Sequence, residues 1–118
     1  KSSARFVVLG GRVIAAHEYI AKDGDFRTNV AAKPKVRAKK YAPRFEKMAI
    51  QATSAFGLEF GGVDMLIHGR TPYVTEVNFP CNFVRAQKFL QCDIAFEMVQ
   101  YLQRKASRLS KTFVHEKF

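Results

Sequence analysis

A Gly10-Gly11 dipeptide separates two runs rich in β-branched and apolar residues, 5–9 and 12–20. A glycine pair between two extended segments is the mark of a two-residue hairpin turn, so the chain folds back on itself as two antiparallel strands. The arrangement returns downstream. Residues 62–68 and 73–79 are again strand-like and flank Gly69-Arg70-Thr71, read as a three-residue hairpin loop.

Helical periodicity follows each hairpin. Pro43 suits a first helical position, and Phe45, Met48, Ala49, Ala52 and Phe56 recur at helical spacing before Gly57 supplies a stop. Asp93 is placed to cap a second helix with the stripe Ile94, Ala95, Met98, Val99 and Leu102, and beyond Arg104 the pattern fades into a polar tail. Between the first hairpin and the first helix, Asp23-Gly24-Asp25 breaks the strand and residues 26–30 resume extended structure. Residues 31–42, basic and interrupted by Pro34, read as an exposed loop. The order strand, strand, helix, strand, strand, helix predicts an α+β class: an antiparallel sheet with two helices packed on one face. Residues 1–104 form that domain and 105–118 a basic tail.

Composition narrows the function classes. With 47% hydrophobic residues and eleven Phe the chain can build a packed core, and no apolar run approaches the roughly 20 residues that cross a bilayer. Cys81 and Cys92 form no CxxC pair and have no His at ligand spacing, which fits reduced thiols in a cytoplasmic protein rather than a zinc or redox site. The net charge of +10 is local: residues 33–47 hold seven basic side chains against one acid and residues 104–118 five against one, which accounts for all of it. Solvated basic surface is one reading of these segments, and a polyanion site is the other.

The second hairpin carries the chemistry. Glu76 and Asn78 are two apart on one strand and share a face. With residues 69–71 as the loop, His68 opposes Pro72 and the ladder places Asp64 across from Glu76. Facing carboxylates repel unless something lies between them. A hard divalent cation answers that need, since magnesium takes carboxylate and amide oxygens and completes its shell with water and phosphate. Solvated acids on an exposed sheet face are the plainer alternative.

The runs GGRVIAA, GDFRTN, FGLEFGGVDML, VTEVN and CDIAFEMVQYL, in that order, resemble the second half of ATP-grasp ligases. The resemblance is closest to the branch holding the RimK-type glutamate ligases and glutathione synthetase, and it covers residues 3–102. It implies the carboxyl-terminal subdomain of an ATP-grasp fold, cut from a longer enzyme and inactive alone. It further implies that Asp64, Glu76 and Asn78 hold one or two magnesium ions on the phosphates of ATP. Arg27 and Asn29 would stand at the phosphates and the acceptor as catalytic residues, with Arg5, Arg27, Asn29 and Asn78 contacting the nucleotide. Such enzymes phosphorylate a carboxylate with ATP, and an amine, often of an amino acid, attacks the acyl phosphate to form an amide. The partners implied are a carboxylate acceptor, an amine and the amino-terminal half of the same chain, with a homo-oligomer left open and no membrane.

This sequence departs from the family pattern in several places. Ser3 stands where an Asp is common, Tyr19 where a basic residue is frequent, Ala31 to Pro34 where His-Arg-Gly-Gly follows the R-x-N element, and Phe79-Pro80-Cys81 where small residues precede Pro-Gly. These positions border the acceptor and phosphate loops, so acceptor identity stays open. Two other classes compete: a basic RNA- or ribosome-binding module, and a noncatalytic relative that keeps only the fold.

Overall fold

The computed structural model describes residues 2–20, 35–83, 87 and 92–117. Its elements are β1 (Ser2–Leu9), β2 (Arg12–Ile20), β3 (Lys35–Ala38), α1 (Pro43–Ala55), β4 (Phe60–His68), β5 (Thr71–Asn78) and α2 (Ile94–Lys117). The strands form one antiparallel sheet in the order β3-β2-β1-β4-β5.

The first turn is as expected. Gly10 and Gly11 both have positive φ, 58° and 77°, the backbone of a primed hairpin turn that glycine adopts without steric cost. Gly10 is doubly constrained, because a Cβ there would lie 2.4 Å from the Tyr101 ring of α2.

Central strand β1 packs on both faces. Ala4, Phe6 and Val8 join Val63, Met65 and Ile67 of β4 under Phe45 and Ala49 of α1. Val7 and Leu9, pointing the other way, join Phe60, Cys81 and Ile94, with Met98 and Tyr101 of α2 packed alongside. The two helices therefore lie on opposite faces, and the expectation that both cover one face is corrected. Four consecutive apolar residues, 6–9, leave no polar face in the pattern from which a side could be read.

A bulge in β2 supports this second layer. Val7 opposes Ala15 while Val8 opposes Val13, so Ile14 is the extra residue, and Ile14 and Ala15 both pack toward the α2 side.

Three further expectations change. Lys35–Ala38 is a strand, paired with residues 17–20 of β2, where the sequence read as loop; its four residues are too few and too basic to show alternation. The helix after Asp93 continues to Lys117, so most of the expected tail is helical; part of the expected stripe is uncovered, Val99 and Leu102 being more than half exposed, and beyond Arg104 the residues are mostly polar, so apolar periodicity does not mark the helix as continuing. On α1, Thr53 rather than Phe56 completes the buried side, and Phe56 is 71% exposed. The anticipated Asp93 cap is present, its Oδ1 accepting the amide of Phe96 at 2.9 Å. Residues 26–30 lie outside the described residues.

Candidate active site

Asp64 pairs with Glu76 across β4 and β5, as the sequence indicated, but by a different route. The loop has two residues, Gly69 and Arg70, with Gly69 at φ 62° and His68 opposite Thr71. That register alone would misalign the carboxylates by one residue. A bulge at Thr75 restores it: Met65 opposes Val74 and Asp64 opposes Glu76, while the Thr75 hydroxyl donates to the Asp64 carbonyl at 3.2 Å.

The same ladder continues across the sheet. Arg5 opposes Asp64 on one side and His17 on the other, so His17, Arg5, Asp64 and Glu76 form one row, on the face opposite α1. Arg5 donates from Nε to Asp64 Oδ1 at 2.7 Å and from Nη2 to Oδ2 at 3.0 Å, a bidentate geometry that orients the carboxylate as well as neutralising it. This bond keeps the guanidinium charged far beyond its usual range, against the opposing effect of burial. Asn78 Nδ2 donates to Asp64 Oδ2 at 3.3 Å. Glu76 is exposed.

Gly62, opposite Asn78, makes room for the wall of the site: a Cβ there would lie 2.7 Å from Cys81 Cβ. Cys81 is 4% exposed and sits in the α2-side apolar cluster, and burial pushes its thiol pKa up although Arg5 pulls it down. It is a packing residue.

His17 was given no role by its sequence context. It is 1% exposed, its Nε2 is 2.9 Å from the Tyr19 hydroxyl, and its Nδ1 is buried with no hydrogen-bond partner. Burial first, then the charge of Arg5, lowers its pKa to about 4, so a neutral imidazole flanks the guanidinium. The β2 bulge hid it. An unbroken ladder from the Leu9–Arg12 pair would put Ala16 across from Arg5 and send His17 to the other face.

Arg27 and Asn29 lie outside the described residues. Among the described residues no three His, Cys, Asp or Glu side chains cluster as a metal nest. Two carboxylates and a carboxamide remain, with the Asn78 carbonyl oxygen turned to no protein partner among the described residues. All are hard oxygen donors, and they fit a cation such as magnesium that draws the rest of its shell from phosphate and water.

Comparison with known proteins identifies the family and the fold. The family model described as a RimK-like ATP-grasp domain matches residues 1–102. The chain belongs to the RimK-like ATP-grasp family. A probable alpha-L-glutamate ligase of Citrobacter koseri is 38% identical over 103 residues, covering 87% of this chain and 34% of the relative. A ribosomal protein bS6–L-glutamate ligase of Salmonella paratyphi B matches with the same identity and coverage. The chain thus spans about a third of the length of these relatives. Among solved structures, the ATP-grasp ligase PsnB complexed with a phosphomimetic variant of a minimal precursor, Mg and ADP shares the fold at TM-score 0.73, with 18% identity over 89% of this chain and 32% of that one. The D-alanine–D-alanine ligase of Bacillus anthracis does so at TM-score 0.64, with 16% identity over 94% of this chain and 41% of that one. The α+β antiparallel architecture is that of ATP-grasp ligases. Among the described residues no helix is long and apolar enough to cross a membrane.

Proposed function

We propose that this chain is the metal- and phosphate-binding part of a cytoplasmic, ATP-dependent carboxylate–amine ligase that joins an amino acid, glutamate by analogy with the named relatives, to a peptide or protein acceptor. The observation that carries this reading is the convergence of Asp64, Glu76 and Asn78 on one sheet face, with Asp64 held by both donors of Arg5.

One or two magnesium ions held by Asp64, Glu76 and Asn78 would supply charge neutralisation for phosphoryl transfer from ATP to the acceptor carboxylate. Arg5 keeps the Asp64 carboxylate in one rotamer, so the site is set before the nucleotide arrives. Its guanidinium would add positive charge near a bound nucleotide. Asn78 donates to Asp64 as well, and its carbonyl oxygen would be the amide ligand. Arg27 and Asn29 are proposed to hold the acceptor and the transferring phosphoryl group. No protein nucleophile is required.

Titration of the full-length protein with ATP, with and without magnesium, tests the reading. Nucleotide affinity that depends on the metal and falls in both Asp64→Asn and Glu76→Gln supports it; affinity indifferent to metal and to both substitutions ends it.

A further inference from the structure

The outer edge of β2 is only half used. β3 pairs with residues 17–20 and leaves residues 12–16 without a strand partner among the described residues. A slot of about 350 Å³ runs along this free edge, lined by Val13, Ile14, Ala15 and Ala16 on one side and by Lys39, Lys40 and Glu46 on the other. The Ala16 carbonyl accepts the amide of Lys39 at 3.2 Å, the last rung before the chain leaves the sheet. Among the described residues, the Ile14 carbonyl receives only the Cys92 thiol at 3.6 Å, a weak donor. An exposed edge of this kind templates the addition of another strand.

Charge selects the occupant. Lys39 and Lys40 stand over the slot. Lys39 is 3.6 Å from Glu18, and Glu18 already holds Arg37 at 2.8 Å, so this carboxylate is shared between two cations. Lys40 has no ion-pair partner among the described residues. Glu46 adds a single negative charge to the lining. Among the described residues the lining carries no aromatic side chain on which a base would stack, whereas the aliphatic β2 residues suit an extended polypeptide.

We infer that the edge of β2 at residues 12–16 binds an extended acidic peptide segment as an added strand, its backbone amides on the Ile14 carbonyl and its carboxylates on Lys39 and Lys40. This site is separate from the Asp64 row and does not depend on the ligase reading.

Binding of a fluorescent peptide alternating Glu with Val or Thr to the intact protein, measured by anisotropy without ATP or magnesium, tests it independently of catalysis. The Lys39→Gln/Lys40→Gln double variant is expected to weaken binding about threefold to tenfold, the range of two exposed ion pairs. The same peptide N-methylated at alternate residues, which keeps every charge but loses the edge hydrogen bonds, is expected to bind at least about tenfold more weakly. Alkylation of Cys92 in a Cys81→Ala background slows when the unmodified peptide is bound. Failure of the peptide to bind, indifference to N-methylation, or equal binding of a single-stranded oligonucleotide of the same charge would each overturn the inference.

Discussion

The two faces of β1 are built on different principles. Toward α1 it presents Ala4, Phe6 and Val8, all at most 1% exposed, in an apolar cluster with Val63, Met65, Phe45 and Ala49, with the buried Glu18 opposite Ala4 as the charged exception. Toward the other face it is divided: Val7 and Leu9 pack under α2, while Arg5 meets Asp64 and lies in register with His17. Apolar burial has no direction and tolerates exchange of shape, whereas the Arg5 row depends on particular atoms meeting at hydrogen-bond distance. Stability is concentrated on the first face and function on the polar half of the second.

Substitution at Asp64 and Glu76, the carboxylates proposed to hold the metal, gives the largest effect and the sharpest form of the contrast. Glu76→Gln and Asp64→Asn are each expected to lower amide-forming turnover of the full-length enzyme about a thousandfold or more, as loss of transition-state charge stabilisation does. Their stabilities part ways: the exposed Glu76 leaves the urea midpoint nearly unchanged, within about 0.5 kcal/mol, and Asp64→Asn costs about 2 kcal/mol because a half-buried guanidinium loses its counter-charge. Equal destabilisation by the two would break the division of labour. On the opposite face, Met65→Ala should cost about 3 kcal/mol in urea unfolding, since Met65 is fully buried against α1, while the nucleotide affinity of the folded protein stays where it was.

His17 adds a pH signature to the polar face. Unfolded, it takes a proton as pH falls below 6.5; folded, it resists until about 4. Stability from this residue is therefore complete above pH 6.5, declines as pH falls and levels off near pH 4, by a total on the order of 3 kcal/mol. His17→Gln should flatten that part of the curve in urea titrations run from pH 7 to pH 4, and an unaltered slope would show that other groups set it. The smallest effect belongs to the first turn. Gly10→Ala should cost about 2 kcal/mol, part from positive φ and part from the Tyr101 ring, and Tyr101→Ala in the same chain should return only the second part in a double-mutant cycle.

Much of this was readable from the residues because local signals are strong where glycine, proline or a cap sits: Gly10-Gly11, Pro43, Gly57 and Asp93 all mark the ends they were expected to mark. Asp64, Glu76 and Asn78 were only partly readable: two-residue periodicity puts Glu76 and Asn78 on one face, but the three-residue loop that set Asp64 across from Glu76 is a two-residue one, and the alignment holds because of the Thr75 bulge. Contacts between distant segments were not. The Arg5–Asp64 pair joins residues 59 apart, and no local pattern announces that β1 will lie between β2 and β4. His17 escaped for a smaller reason, a single bulged residue at Ile14. β3 and the far half of α2 escaped because neither has a one-sided apolar pattern, the signal on which such readings rest.

The bulge at Thr75 has a consequence for how the hairpin tip can vary. Because β5 holds one surplus residue between its tip and Glu76, deleting a residue such as Thr71 can be absorbed by straightening the strand, leaving Asp64 and Glu76 abreast. A longer tip can be taken up in the turn itself. The slack isolates the Asp64–Glu76 pair from whatever the exposed end of the hairpin must match, so the tip is free to drift in length while the alignment of the two acids is preserved.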